Sequence, residues 1–588
     1  MEDSSRTGGE SRPGPWLAVA LTVGCLAVLE AFWMGGQVRT LGDFGWDEAA
    51  HALWGLRVYR DVAAANWISL AFDSYRQVYW PFLHSWALAA SMLVMGATPT
   101  AARTVSVAAF VVTAGVLVLI GRRLSTTAGW VASFIAAGLW LTAGPVVETI
   151  GLRALTDGPA IAVTGLTFWA LTGAVERPTR SRFALVGLLS MATYLTKTGF
   201  GVVLIPSILL TFAVWARRDD GPRVDARRVV AYLAPIVVVS ILWFAYPPKI
   251  TATLSALTNR AQGPSPLSWA GLTYHPRQLA GYVGGWWVLA LLGIAVAMAA
   301  LRRSPPIVVA LALYIAVALG LHTLSHTKDP KHVTKVVPWL FLLGGWAVSI
   351  AWEWCRGRRR PVAMGVAAAL CVVLAARAHD LFATPRQRAD TFPRIRSALV
   401  QRILPDRHNL VLGEFGGLGG PLTKWYLLER NSATLLYPDD HLERFQALLA
   451  PLRARHGWIR ALERTPPERT LWVDQAPTRD QTDIGTADRL LAELVAADAP
   501  ARILVLDIAP TSPWYDDRDF VFGGETFLPA LGAELCYRRS EVIGPERGVS
   551  LSVWDSVRGC NASTDAGSGS EPAASRGGAE PGEAVSSP

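Results

Sequence analysis

The sequence predicts a polytopic α-helical membrane protein that ends in a soluble α/β domain. Of its 588 residues 51% are hydrophobic, and the mean hydropathy is +0.30. The apolar residues are gathered into blocks long enough to cross a bilayer. Beyond Arg377 those blocks give way to short β-like runs alternating with helical stretches. The formal charge of +9 could suggest an anionic partner such as nucleic acid. The Lys and Arg residues sit mostly in short clusters between apolar blocks, however, which is a topology signal, so no nucleic acid partner is expected.

Taken in order, Arg6 and Arg12 precede an apolar run from Trp16 to Met34 with no small-residue cleavage site, which reads as an uncleaved first span. Further spans are expected near residues 104–121, 128–145, 158–175, 183–196, 200–216, 229–246, 286–301, 306–322, 336–353 and 361–377, about eleven in all. This places Arg122-Arg123, Arg177 to Arg182, Arg217 to Arg228, Arg302-Arg303 and Arg356 to Arg360 on one side. By the positive-inside tendency that side is the cytoplasm, with the N-terminus inside and everything after Arg377 outside. Parity excludes Pro81 to Gly96 as a full crossing, since counting it would move Arg122-Arg123 outside. A short juxtamembrane or re-entrant helix is expected there. The expected organisation is a cytoplasmic tail over 1–15, a membrane domain over 16–380, an extracytoplasmic α/β domain over 381–560 and a disordered, Gly-, Ser-, Ala-, Glu- and Pro-rich tail over 561–588.

The unusual polar residues fall in three outer loops. In the first, Asp47-Glu48 heads a stretch through Asp61 with helical spacing of Ala50, Leu53, Trp54 and Val58. Such a helix would lie in the interface plane, with two carboxylates at its positive end. They would serve either as helix caps or as chemistry on a substrate at the membrane surface. The second loop carries Arg153 and Asp157, four residues apart. That spacing suits an ordinary helical ion pair, or a second acidic contributor to a site. The third, His322 to Lys335, is basic on the face where positive charge is disfavoured. A local anion, most economically a phosphate, would account for it. Its His322, His326 and His332 invite a metal reading, but the Glu of a His-Glu-x-x-His site is missing, and Lys328, Lys331 and Lys335 would repel a cation. No metal ligands are assigned. Among the five cysteines, Cys536 and Cys560 are the pair that could bond outside the cytosol.

Together these residues resemble the GT-C glycosyltransferases that use polyprenyl-phosphate sugars. The similar branch holds the protein O-mannosyltransferases and the lipid A aminoarabinose transferases. The resemblance rests on Asp47-Glu48-Ala49, Tyr79-Trp80-Pro81-Phe82-Leu83, Ala101-Ala102-Arg103 and Gly121-Arg122-Arg123-Leu124. It continues in Arg153 to Pro159, Leu195-Thr196-Lys197-Thr198-Gly199 and Pro330-Lys331-His332 ahead of Val336-Val337-Pro338. It covers about residues 15–380 and implies transfer of a sugar, on the extracytoplasmic face, to an envelope lipid, glycan or protein. It further implies that Asp47 is the principal catalytic carboxylate, supported by Glu48, and that Asp157 is the second acid. Arg153, Lys197, Lys331 and His332 would lie near the donor phosphate. Many relatives carry Lys before a Pro-Pro turn; here Arg76 is the nearest substitute. Relatives differ in metal dependence, so a divalent cation, Mg2+ or Mn2+, stays open. The loop from Pro247 to Gly285 is where relatives close over the lipid donor; its aromatics also suit plain interfacial anchoring.

In the C-terminal domain, strands are expected at 409–413, 470–474, 502–507 and 550–554, with helices near 440–450 and 486–497. Gly413 to Gly420 follows a strand but lacks the Lys-Ser/Thr of a phosphate-binding loop, and reads better as a tight turn. The alternative to an enzyme is a non-catalytic membrane transport or scaffold protein of the cell envelope. A transporter should show internal repeats and mid-span polar residues, and neither is clear.

Overall fold

In the computed structural model the described residues are 14–42, 44–75, 77, 80–124, 129–218, 222, 224–245, 249–250, 264–286, 293, 305–325, 328–358, 360–383, 393–404, 409–412, 434–437, 470–473, 500–508, 535–546 and 549–557. Among them seven helices are long and apolar enough to cross a membrane, or up to eight if one bent pair is a single span. They include α1 (Gly14–Thr40), α5 (Pro99–Leu124), α8 (Asp157–Glu176), α10 (Thr198–Ala216) and α11 (Ala226–Phe244). After α12 (Trp269–Val283) come α13 (Pro306–Leu324) and α14 (Val337–Arg358).

Parity adds a further crossing. The start of α9 (Arg180–Thr196) lies at the C-terminal end of α8, where Arg182 Nη1 donates to Gly173 O at 2.5 Å. Directly after α9, Lys197 reaches Asp157 at the opposite end of α8. At 17 residues the helix is about 25 Å long, enough to traverse most of the hydrocarbon layer. Where the sequence places the span 183–196, α9 runs back along the length of α8. Gly187 sets the α9–α11 approach: a Cβ there would lie 2.0 Å from Tyr232 O and 2.9 Å from Pro235 Cγ.

Two expectations need correction. The expected straight span at 128–145 is instead α6 (Gly129–Leu141), then α7 (Gly144–Val146) continuing as a π turn over Val147–Gly151, with a 54° bend. Pro145 starts the second segment, because it has no N–H to donate back to the first. The third outer loop is also more ordered and more buried than expected. His322 closes α13, Pro330–Val336 is a 3-10 helix running into α14, and Lys335 is buried. Burial of that amine is tolerated because Nζ donates to Gly199 O at 3.2 Å and to His322 Nε2 at 2.7 Å.

Other expectations hold. The helix expected from Asp47 through Asp61 is α2 (Trp46–Ala63), followed by α3 (Trp67–Tyr75). The short apolar stretch is α4 (Leu83–Met95), whose 13 residues make about 20 Å, too short to cross. The last membrane-side helix is α15 (Arg360–Ala383). The expected span at 286–301 lies almost wholly outside the described residues.

The C-terminal domain begins with α16 (Pro393–Arg402) and builds a six-stranded sheet in the order β2-β3-β1-β4-β6-β5. The parallel strands are β1 (Asn409–Leu412), β2 (Thr434–Tyr437), β3 (Thr470–Val473) and β4 (Arg502–Ile508). β6 (Val549–Ser556) pairs antiparallel with β4, and β5 (Tyr537–Glu546) with β6. β2 and β5 were not expected from sequence. β5 carries Arg538, Arg539 and Glu541 along the sheet edge, where charge discourages pairing with other chains but also hides the strand signal. The expected helices near 440–450 and 486–497 and the glycine-rich turn lie outside the described residues. Cys536 is disulfide-bonded; Cys560 lies outside the described residues. One apolar cluster joins Phe44, Ala49 and Leu53 of the membrane part to Leu399, Leu504 and Leu551 of this domain.

Candidate active site

The first turn of α2 separates the two neighbouring acids by role. Glu48, three residues after Gly45, folds back so that its Oε2 accepts the Gly45 N–H at 2.9 Å, which satisfies a free helix-start donor. Its Oε1 accepts from Arg103 Nε at 3.1 Å and from the Ala154 N–H at 3.1 Å. Arg103 also donates to Leu41 O and Gly42 O. Glu48 is 3% and Arg103 1% exposed. Glu48 thus ties the starts of α2 and α5 to the 152–156 link. The capping role open to both acids falls to Glu48.

Asp47, 34% exposed, points elsewhere. It accepts a short hydrogen bond from Lys331 Nζ, and Lys331 also pairs with Asp329 Oδ2 at 3.1 Å. Asp47, Lys331 and Asp329 line one cavity of about 580 Å³, with Gly45, Thr149, Arg153 and Tyr282 also in its wall.

Asp157 starts α8 and is buried. Its two oxygens accept from Lys197 Nζ at 2.7 and 2.6 Å. Lys197 can reach it because the chain turns extended there, between α9 and α10. The helical pairing of Arg153 with Asp157 does not form: residues 152–156 are not helical, and Lys197 takes the carboxylate. Arg153 is left exposed in the cavity wall and, among the described residues, pairs with no carboxylate. Asp157 is within electrostatic reach of Lys331 and Lys335.

Behind the cavity wall lies an imidazole cluster. His332 stacks on His322 with ring centroids 4.6 Å apart, and His275 lies 5.9 Å from His322. His275 Nε2 meets His322 O at 3.0 Å. Burial pushes His275 down to about 4 and His84 down to about 4. Burial, then the neighbouring His84, Lys197 and Lys331, hold His51 well below the ordinary imidazole range. With these imidazoles held below their ordinary range, the positive charge lining the cavity comes from Arg153 and Lys331.

Among the described residues no group of three or more His, Cys, Asp and Glu is arranged to hold a metal ion. The acids of the cavity do not suit a divalent cation either. The Lys331 ammonium lies between Asp47 and Asp329, where such an ion would sit, and Glu48 is spent on Arg103.

The structure therefore brings Asp47, Glu48, Arg153 and Lys331 to one cavity, and sets Asp157, Lys197 and His332 beside it. Arg76 lies outside the described residues. Sequence reasoning assigned no part to Asp329, Thr149 or Tyr282. Asp329 had a usable signal, standing just before Pro330-Lys331 as a helix-start residue.

Residues 80–246 match the dolichyl-phosphate-mannose-protein mannosyltransferase family. No curated protein is significantly similar in sequence. The fold is similar to the crystal structure of ArnT from Cupriavidus metallidurans bound to undecaprenyl phosphate, at a TM-score of 0.56 and 15% identity, over 91% of this chain and 98% of that one. Archaeal oligosaccharyltransferase AglB from Archaeoglobus fulgidus gives a TM-score of 0.43 at 11% identity, over 69% of this chain and 64% of that one. The ArnT likeness spans both the helical bundle and the C-terminal domain, so the chain is a multi-pass membrane protein with the GT-C fold of membrane glycosyltransferases.

Proposed function

We propose that the protein is an integral-membrane glycosyltransferase that moves a sugar from a polyprenyl-phosphate donor to an envelope lipid, glycan or protein on the extracytoplasmic face. The observation that carries this reading is the cavity in which Asp47 faces Lys331, with Arg153 in the same wall. A carboxylate beside cations is what a displacement at a sugar carbon requires. Asp47 takes the proton of the acceptor hydroxyl as its oxygen bonds to the anomeric carbon. The bond from that carbon to the phosphate oxygen breaks, and polyprenyl phosphate leaves with the electron pair. Lys331 and Arg153 hold the charge that grows on it. Attack opposite the leaving group inverts the sugar carbon.

The sidedness follows from the charges. Arg123 and Arg182, at the α8 C-terminal end, lie away from Asp47 and Asp157, and Arg217 and Arg228 continue that end in sequence. Positive-inside bias makes that end cytoplasmic and the cavity extracytoplasmic. A disulfide at Cys536 suits a domain on the oxidising side. The ArnT structure holds undecaprenyl phosphate, and a lipid carrier of that chemistry is proposed here. The Lys331 ammonium held between Asp47 and Asp329 supports a reaction without Mg2+ or Mn2+. The test is transfer of labelled sugar from a panel of polyprenyl-phosphate sugars to envelope fractions, by wild-type protein and Asp47→Asn.

A further inference from the structure

Asp47 and Lys331 are each asked to do two things. A carboxylate bonded to an ammonium is a weaker proton acceptor, and an ammonium held by a carboxylate is less available to a phosphate. In the structure they hold each other. Asp329 supplies a second anchor. Its Oδ1 accepts the Lys331 backbone N–H at 2.9 Å, and its Oδ2 lies 3.1 Å from Lys331 Nζ. Pro330, between them, fixes the backbone torsion that lets one carboxylate grip both atoms. All three side chains are partly exposed to the same cavity, Lys331 at 24% and Asp329 at 30%, so the ammonium has open space to move into.

We infer that Lys331 is exchanged between Asp47 and the donor phosphate, with Asp329 as the positioning residue that keeps the ammonium within reach of both. The base is then uncovered only when the phosphate has drawn Lys331 away, which couples proton acceptance to the presence of donor. This inference rests on the functional reading above, and its test is independent of sugar transfer.

The experiment is a double-mutant cycle on binding of undecaprenyl phosphate to the full-length protein in lipid nanodiscs. It uses wild type, Asp47→Asn, Lys331→Met and the double variant. Asp47→Asn leaves Lys331 held by Asp329 alone and binds about fivefold tighter, the size of a partly exposed ion pair. In the Lys331→Met background the same Asp47→Asn change gives no gain. An equal gain in both backgrounds means that Asp47 merely repels the phosphate, and overturns the exchange; so does no gain in either. Lys331→Gln repeats the cycle should Lys331→Met fail to fold. Where transfer is measurable, Asp329→Asn keeps an oxygen for the Lys331 N–H but removes the charge. Lys331 then rests on Asp47 alone, and the acidic limb of the kcat/KM profile moves to lower pH. A purely structural Asp329 would lower the yield of folded protein and leave that limb in place. Absence of transfer by wild type with every donor contradicts the glycosyltransferase reading, while the binding cycle still decides the exchange.

Discussion

Lys197 and Asp157 form a doubly hydrogen-bonded ion pair, at 2.7 and 2.6 Å, across the junction of α8, α9 and α10. Asp157 is 3% exposed, so removing one partner leaves a nearly buried charge. Lys197→Met is expected to cost about 3 kcal/mol and to lower the melting temperature in detergent. The double variant Asp157→Asn/Lys197→Met recovers part of that loss. Additive losses would show that the pair carries no coupling.

Glu48 and Asp47 are neighbours in sequence with separate parts. Glu48→Ala strips Arg103 of its carboxylate and the Ala154 and Gly45 N–H groups of their acceptor. The expected outcome is a loss of several kcal/mol, on the order of 3–5, seen as poor recovery of folded protein. Asp47→Asn is expected to express and melt like wild type. Equal recovery of both variants by size-exclusion chromatography would contradict this division.

Gly187 brings α9 against α11. Gly187→Ala places a methyl 2.0 Å from Tyr232 O, a backbone atom that cannot swing aside. It is expected to prevent recovery of folded protein, whereas Gly115→Ala, with open space at its Cβ, is tolerated. A folded Gly187→Ala with an unchanged melting temperature would overturn the α9–α11 packing described.

Lys249 is buried, with Nζ 3.6 Å from the Tyr75 ring centroid and 3.0 Å from that of Trp243. Burial pushes its amine down to about 7. Between that value and the ordinary 10.5, the unfolded chain binds more protons at this site than the folded one. Stability from this group therefore rises with pH across that window. The melting temperature of wild type relative to Lys249→Met is expected to climb from pH 7 to pH 10. A flat difference would place the amine in contact with water.

Chelation tests the metal-free reading. Activity is expected to survive dialysis against EDTA, because Lys331 already bridges Asp47 and Asp329. Activity lost on chelation and restored by Mg2+ or Mn2+ would contradict it.

The local parts of this site were legible in the sequence. The α2 helix followed from the spacing of Ala50, Leu53, Trp54 and Val58. The pairings were not legible, because the partners lie far apart in the chain: 55 residues for Arg103 and Glu48, 40 for Lys197 and Asp157, 284 for Lys331 and Asp47. The Arg103 bond of Glu48 was hidden because a carboxylate beside Asp47 reads the same in sequence whether it faces a cavity, Arg103 or both. Lys335 looked like loop charge because the carbonyl and imidazole that accept from it come from α10 and α13.

The most direct test of the central claim is sugar transfer from polyprenyl-phosphate donors by wild type and Asp47→Asn, matched for folded protein. The account predicts transfer by wild type and a fall of at least about a hundredfold for Asp47→Asn, the range that loss of a general base removes. Equal transfer by the two proteins would contradict the role of Asp47, and no transfer by either with any donor would contradict the glycosyltransferase reading.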